Sequence, residues 1–456
     1  MNSHTGTLGA LRDTSRQDWI LESGFGSEPE LKRDLKNRLN QLLLNIDGAD
    51  EEKALLINVP GRIEVLGKHT DYAGGVSLTC ASSKSFLCVV RAHDQPSLVV
   101  RDAIRGTAIA ILYDNPNPVA GHSWSRYVAT VVSRLLRHFP RPERGVEIVM
   151  ASNLPGASGM SSSSALVISI ALGVLAMTGF PPELSFTRER FAGFAGALES
   201  GADFEHLKGD SGVGTKGGSQ DHTAILCAKQ NDLGLYSYFP VISESSIALP
   251  KDLAFVVASS GVKASKTGNA KKKYNLASER ATHIVQLWNS VNESSHRTMG
   301  EMIGGSDFSR DRLREILSFQ PDSMILWNRF LQFDRETNIV IPSAMEAVRS
   351  SNWASFGQFV DESQRMAGEW LGNQVEETQF LARSARESGA VGASSFGAGF
   401  GGAVWALIPQ SDVETFTSVW KKAFAKKYPG RMGTATFFTD HPSRGVFIYG
   451  TVLPGW

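Results

Sequence analysis

Four consecutive serines, Ser161 to Ser164, follow the turn Leu154-Pro155-Gly156-Ala157-Ser158-Gly159-Met160 and run straight into Ala165-Leu166-Val167-Ile168-Ser169-Ile170-Ala171. This order reads as a loop feeding the N-terminus of a buried helix. The first N–H groups of a helix have no intrahelical partner and sit at the positive end of its dipole, so they attract anions, and Gly156 and Gly159 let a ligand come close to the main chain. Serine hydroxyls add donors, and one of them can ligate Mg²⁺. One serine would suffice for an ordinary helix cap, whereas four after two glycines favour a phosphate cradle. No lysine follows the loop, so it is not a GxxxxGK[ST] motif.

Three further stretches gather polar or small residues. Residues 60–75, Pro-Gly-Arg-Ile-Glu-Val-Leu-Gly-Lys-His-Thr-Asp-Tyr-Ala-Gly-Gly, pass from an alternating strand pattern into a dense polar loop. There Lys68, His69 and Asp71 supply a cation, an imidazole and a carboxylate, the groups that hold a small polyhydroxy ligand; the competing reading is a solvated turn. Gly217-Gly218-Ser219-Gln220-Asp221-His222 puts the Asp221 carboxylate at the start of an apolar helix, where it is either functional or a cap. Residues 389–402 are so rich in glycine, alanine and serine that the backbone there must approach something closely, a ligand or another backbone.

The elements that position these residues follow from periodicity. A strand is expected over 54–59 and a second short one from Ile63, with Arg62 and Glu64 on its opposite face. Strand patterns recur over 77–100, 106–113, 145–150, 253–259, 403–408, 435–438 and 446–452, and helical spacing over 123–136, 188–198, 274–288 and, in several pieces, 299–387. Trp124 and Tyr127 fall on the buried face of their helix. The run Lys263, Lys266, Lys271, Lys272 and Lys273 reads as a solvated face or as a device that steers phosphates. Residues 1–30 are expected to be loosely held, with an amphipathic helix starting near Leu31. A composition shift over 233–250 suggests a boundary between a domain at 31–235, carrying the polar and serine loops, and a second at 236–456.

A chain of 456 residues, 42% hydrophobic and 20% charged, can bury two or three cores. Lys plus Arg and Asp plus Glu number 46 each, so no net field favours nucleic acid or an anionic membrane, and an anionic ligand needs a local site. Three cysteines, with no CxxC pair, fit a reducing compartment, and no signal-peptide core or spanning stretch is seen. A cytoplasmic protein with a small-molecule partner is expected, rather than one that binds nucleic acid or membrane.

Taken in order, these motifs resemble the galactokinase branch of the GHMP small-molecule kinases over about residues 54–450. Residues 61–72 are similar to its signature GR-x-N-x-x-GEHTDY, residues 154–171 to its ATP-phosphate loop, and GAGFGG stands intact at 397–402. The resemblance implies an α+β, two-domain GHMP kinase fold with the active site in the interdomain cleft. It also implies ATP- and Mg²⁺-dependent phosphorylation of the anomeric hydroxyl of galactose or a galactose-like sugar, giving a sugar 1-phosphate and ADP.

Asp221 then stands where the family has its proton-abstracting aspartate, with Arg62 as its electrostatic partner; an arginine there favours the ionised carboxylate and can stabilise charge on the transferring phosphoryl group. Glu64, Lys68, His69, Asp71, Gly218 and Tyr274 fall on the sugar side. Pro155, Gly156, Ser158, Gly159, Met160, Ser161, Ser162, Ser163, Ser164, Ala165 and Gly399 fall on the nucleotide side. Ser164 and Glu199 are the implied Mg²⁺ ligands, and Glu205 is the other candidate for the second.

Three positions depart from the family pattern: Glu64 replaces an asparagine, Lys68 a glutamate and His222 a glutamine. The family's glutamate would meet the sugar O6, so an ammonium there suits an anionic C6 group, as in a hexuronic acid. The plainer reading is that Lys68 pairs with Glu64 and the sugar remains galactose-like. The resemblance also admits a non-catalytic sugar and ATP sensor. Such sensors lose small residues of the phosphate loop, and retention of Ser164-Ala165 puts the kinase ahead.

Overall fold

Apolar residues on both faces make β1 (Ala54–Leu66) a wholly buried central strand, antiparallel to β2 (Val76–His93) with Ile57 opposite Cys88 and Ile63 opposite Cys80. The computed structural model describes residues 6–25, 28–120, 122, 124–156, 159–180, 187–262, 268–453 and 456. The sequence suggested a break at Pro60-Gly61, but the strand continues through it with a register shift between Pro60 and Arg62. Proline lacks an N–H and is tolerated at such an irregularity. Gly61 is required there, because a Cβ would lie 2.4 Å from Leu154 Cδ2 and 2.8 Å from the Met160 carbonyl oxygen.

The other strands are β3 (Ser97–Asp102), β4 (Thr107–Leu112), β5 (Gly145–Ser152), β6 (Asp232–Ser237), β7 (Ile242–Ala248), β8 (Leu253–Ser259), β9 (Gly392–Ser395), β10 (Ala403–Pro409), β11 (Thr436–Asp440) and β12 (Phe447–Tyr449). Among the described residues they form two sheets. The larger runs β12-β1-β2-β5-β3-β4, with β6 on β2 and β7 on β6; the smaller runs β11-β8-β10-β9. The boundary expected near 235 therefore falls inside the β6–β7 hairpin, both strands of which belong to the larger sheet. The composition shift marks an exposed edge strand, β7, rather than a change of core. Residues 389–402, expected as one loop, contain β9 before the glycine turn that leads into β10.

Helices Ser125–His138, Ser162–Thr178 and Arg188–Ser200 lie on one face of the larger sheet, and their apolar residues join one core with Ile57, Ile63, Cys88 and Ile148. Its other face is covered by helices Leu8–Arg12, Thr14–Phe25 and Pro29–Leu43, where Leu8, Leu11, Ile20, Leu21, Leu35 and Leu39 pack on Leu56, Leu87 and Val149. Residues 8–25 are thus ordered core elements, contrary to the expectation of a loose segment. A strand that is apolar on both faces, as β1 is, needs cover on both; the signal was faint because the apolar residues are divided between two short helices separated at Asp13.

The C-terminal half adds a helical layer. Helix Gly268–Asn292 starts six residues before the predicted Tyr274, so Lys271, Lys272 and Lys273 stand in its first turns, while Lys263 and Lys266 lie outside the described residues. Helices Met299–Gly304, Arg310–Ser318 and Ser323–Arg335 pack on it through Trp288, Met302, Leu313 and Phe330. Among the described residues no helix is long and apolar enough to cross a membrane.

Because Ile20 is fully buried, Ile20→Ala should lower stability by about 2–4 kcal/mol. Urea unfolding checks this, and a loosely held N-terminus would give no change.

Candidate active site

Arg62 is almost wholly buried, and its guanidinium joins three separate segments. Nε donates to Asp221 Oδ1 at 2.8 Å, Nη2 lies 2.6 Å from the same oxygen, and Nη1 donates to the Gly159 carbonyl. Asp221 is the second residue of helix Gln220–Cys227 and does not cap it: Ser219 holds the cap position without a side-chain bond. Asp221 Oδ2 faces Ser164 Oγ at 3.5 Å. The Asp221 side chain keeps 21% of its surface exposed, whereas Glu64, Asp71 and Glu199 are buried, so Asp221 is the most accessible of the four carboxylates lining this cleft.

The serine loop has the geometry of an anion site. Helix Ser162–Thr178 starts after Ser161, whose backbone is left-handed at φ 57° and whose side chain makes no capping bond. The first intrahelical bond is from Ala165 N–H to Ser161 C=O, so the N–H groups of Ser162, Ser163 and Ser164 have no partner within the helix. Ser161 Oγ is buried and has no hydrogen-bond partner among the described residues. By contrast, Thr187 caps helix Arg188–Ser200 through its side chain. Gly156 is exposed with open space where a Cβ would lie. Met160 and Ala165 are buried in the core and shape the turn from behind; Pro155 stands at its entrance, and Ser158 lies outside the described residues. This arrangement fits the phosphates of a nucleotide.

Opposite it stands the wall formed by residues 62–72. The Asp71 carboxylate accepts the Gln220 N–H at 3.1 Å, and burial pushes its pKa up against that hydrogen bond. Gly218 must lack a side chain, because a Cβ would lie 2.5 Å from Asp71 Oδ2. His69 takes a left-handed backbone at φ 57°. Its Nε2 is 3.0 Å from the Ala398 carbonyl, which can only accept, so Nε2 carries the proton and Nδ1 accepts from the Tyr72 hydroxyl at 2.8 Å. Burial, helped by Arg329, lowers the His69 pKa to about 4 and keeps the ring neutral. Tyr274 lines the cleft with its ring 5.2 Å from that of His69. Glu64 Oε2 accepts from Gln220 Nε2 at 2.6 Å, and burial raises the Glu64 pKa to about 7 against the pull of Arg62 and Lys68.

Two expected contacts are not in the cleft. Lys68 is 1% exposed, and its ammonium turns into the C-terminal half, donating to Ser394 Oγ at 2.7 Å and Ser363 Oγ at 3.2 Å. Ser363 in turn donates to Glu336 Oε1 at 2.8 Å, and no direct pairing of Lys68 with Glu64 is formed. The Lys68 ammonium therefore points away from the cleft, contrary to its expected place on the sugar side. Gly399 packs on Asn373, where a Cβ would lie 2.3 Å from the carbonyl oxygen, so its small size serves backbone packing; Gly397 and Ala398 line the cleft instead.

Of the two glutamates considered for a cation, Glu199 lines the cleft, with Oε2 2.9 Å from His222 Nε2, while Glu205 is bound by Arg190 at the surface. Ser164 and Glu199 could hold one Mg²⁺ together with phosphate oxygens. Among the described residues no group of three His, Cys, Asp or Glu side chains gathers as a metal site.

Family models match three segments: the N-terminal domain of GHMP kinases over residues 126–229, the galactose-binding signature of galactokinases over 48–92, and the C-terminal region of GHMP kinases over 344–426. The chain is a GHMP kinase of the galactokinase-like branch. It is 25% identical to the galactokinase of Thermococcus kodakarensis over 85% of this chain and 98% of that one. The galactokinase of Dictyostelium discoideum is 22% identical over 91% and 94% of the two chains. The structure of Lactococcus lactis galactokinase complexed with galactose shares the fold, with a TM-score of 0.69 at 21% identity, covering 87% and 96%.

In this GHMP kinase the residues that hold the 67–69 loop are not evident from local sequence. Glu336 Oε1 accepts Gly67 N–H, Gln332 Nε2 donates to Lys68 C=O, and Arg329 Nη2 donates to His69 C=O. Gln220 was passed over as a neighbour of Asp221, yet it ties Asp71 to Glu64. Removing one member of a buried charged network leaves its partner uncompensated. Lys68→Met should therefore cost ~3 kcal/mol in urea unfolding, and retention of wild-type stability would show that the network carries no weight.

Proposed function

We propose that this GHMP kinase phosphorylates the anomeric hydroxyl of galactose or a galactose-like uncharged hexose, using ATP and Mg²⁺. The observation that supports it most is the position of Asp221, held by Arg62 on one oxygen and facing Ser164 of the anion cradle with the other. The names of the relatives support the sugar class. The turn of Lys68 away from the cleft supports a neutral sugar over a hexuronic acid.

The chemistry follows from placement. Asp221 accepts the proton of the sugar hydroxyl as that oxygen bonds to the γ-phosphorus and the bond to the ADP oxygen breaks. Arg62 offsets negative charge on both Asp221 and the transferring group. The N–H groups of Ser162 to Ser164 and the Ser161 hydroxyl hold the phosphates, and Asp71, Tyr274 and the neutral His69 shape the sugar side. A Mg²⁺ held by Ser164 and Glu199 would neutralise phosphate charge. In reactions of this type positioning and charge neutralisation supply most of the rate enhancement.

Asp221→Asn keeps the shape but loses the base, so kcat for ADP release with galactose should fall about 10³-fold, with ATP binding retained. Near-normal kcat in this variant would refute the role. Binding of ATP and galactose by the wild type with no ADP release for any hexose would favour the sensor reading over the kinase.

A further inference from the structure

Glu64 lines the cleft as a buried carboxylate with a divided hydrogen-bond inventory. Its backbone is fixed by Trp405, whose indole N–H donates to Glu64 C=O at 3.0 Å. Oε2 is fixed by Gln220 Nε2, and the Gln220 N–H is itself fixed on Asp71. Oε1 is buried and has no hydrogen-bond partner among the described residues. An unpaired buried carboxylate oxygen is costly, and a ligand donor removes that cost.

The charges around it define which ligand fits. Glu64, Asp71, Glu199 and Asp221 all line the cleft, and among the described residues the lining has one permanent cation, Arg62, which is committed to Asp221. His69 is neutral, with both ring nitrogens engaged. Lys68 contributes its field to Glu64 from behind but does not line the cleft. The sugar side therefore offers acceptors and asks for donors, so hydroxyl groups fit and a carboxylate meets repulsion.

Building on the sugar-kinase reading, we propose that Glu64 is a specificity-determining residue of this chain: its Oε1 accepts a hydrogen bond from a hydroxyl of the bound hexose, and the site discriminates against hexuronic acids through it. This departs from the asparagine of the family signature, whose amide would offer both a donor and an acceptor.

Glu64→Gln provides the test, because the amide keeps an oxygen for Gln220 and places an NH₂ where Oε1 was. At pH 8, galactose Kd by calorimetry and KM by ADP release should each rise at least 10-fold, with kcat and the ATP KM within about threefold and Tm nearly unchanged. Galacturonate should bind wild type at least 100-fold more weakly than galactose, and that gap should narrow at least 10-fold in the variant. A merely structural carboxylate would shift Tm and leave the galactose-to-galacturonate ratio alone, which overturns the proposal. Equal galactose Kd in the two proteins, or no galactose binding by the wild type, also overturns it. If the wild type binds galactose but releases no ADP, the kinase reading fails while the Kd comparison still decides the role of Glu64.

Discussion

The Arg62 guanidinium is the contact on which the site depends. It is buried within a long central strand and is satisfied by a carboxylate from the start of one helix and a carbonyl from the loop before another. A buried cation is tolerated only with such partners, and removing one leaves the others uncompensated. The pair therefore fixes the distance between the helix that carries Asp221 and the serine-rich loop that precedes another helix. The irregularity at Pro60-Gly61 and the left-handed turn at Gly159, where φ is +82°, are the local costs of bringing Arg62 and that carbonyl together.

The second constraint is the loop after Arg62. Its backbone is held at Gly67, Lys68 and His69 by Glu336, Gln332 and Arg329, so a helical segment of the C-terminal half determines how this loop of the N-terminal half is presented to the cleft. His69 is kept in a left-handed conformation, uncommon for a non-glycine residue, by bonds on both its carbonyl and its ring. The same clamp draws Lys68 inward. A fully buried ammonium then needs hydroxyl and carboxylate company, which Ser363, Ser394 and Glu336 provide.

Chemistry encoded within a few residues was legible in the sequence. The serine-rich helix entry, the Arg62 to Tyr72 segment and the Asp221 turn all come together at one cleft, and the α+β architecture was legible through the resemblance of these motifs to the GHMP kinases. What the sequence did not disclose depends on partners far along the chain. Lys68 reads as a sugar contact until its ammonium is seen against residues about 300 positions away, at Ser363 and Ser394. Gln220 looks like a spacer until it is found bridging Asp71 and Glu64. Gly399 shares a motif with Gly397, yet the two meet different neighbours, Asn373 in one case and Gly159 with Arg62 in the other. Residues 8–25 carry little signal because helical spacing is weak in short segments, and the cover they give the second face of the sheet is visible only in the folded chain.

The claim that a base beside the cradle acts on an anomeric hydroxyl is tested most directly by the position of the phosphate in the product. Phosphorus-31 NMR of galactose incubated with ATP, Mg²⁺ and the protein should show a single sugar phosphate whose phosphorus couples to the anomeric proton. A phosphate on any other hydroxyl, or release of inorganic phosphate without a phosphorylated sugar, would contradict the account.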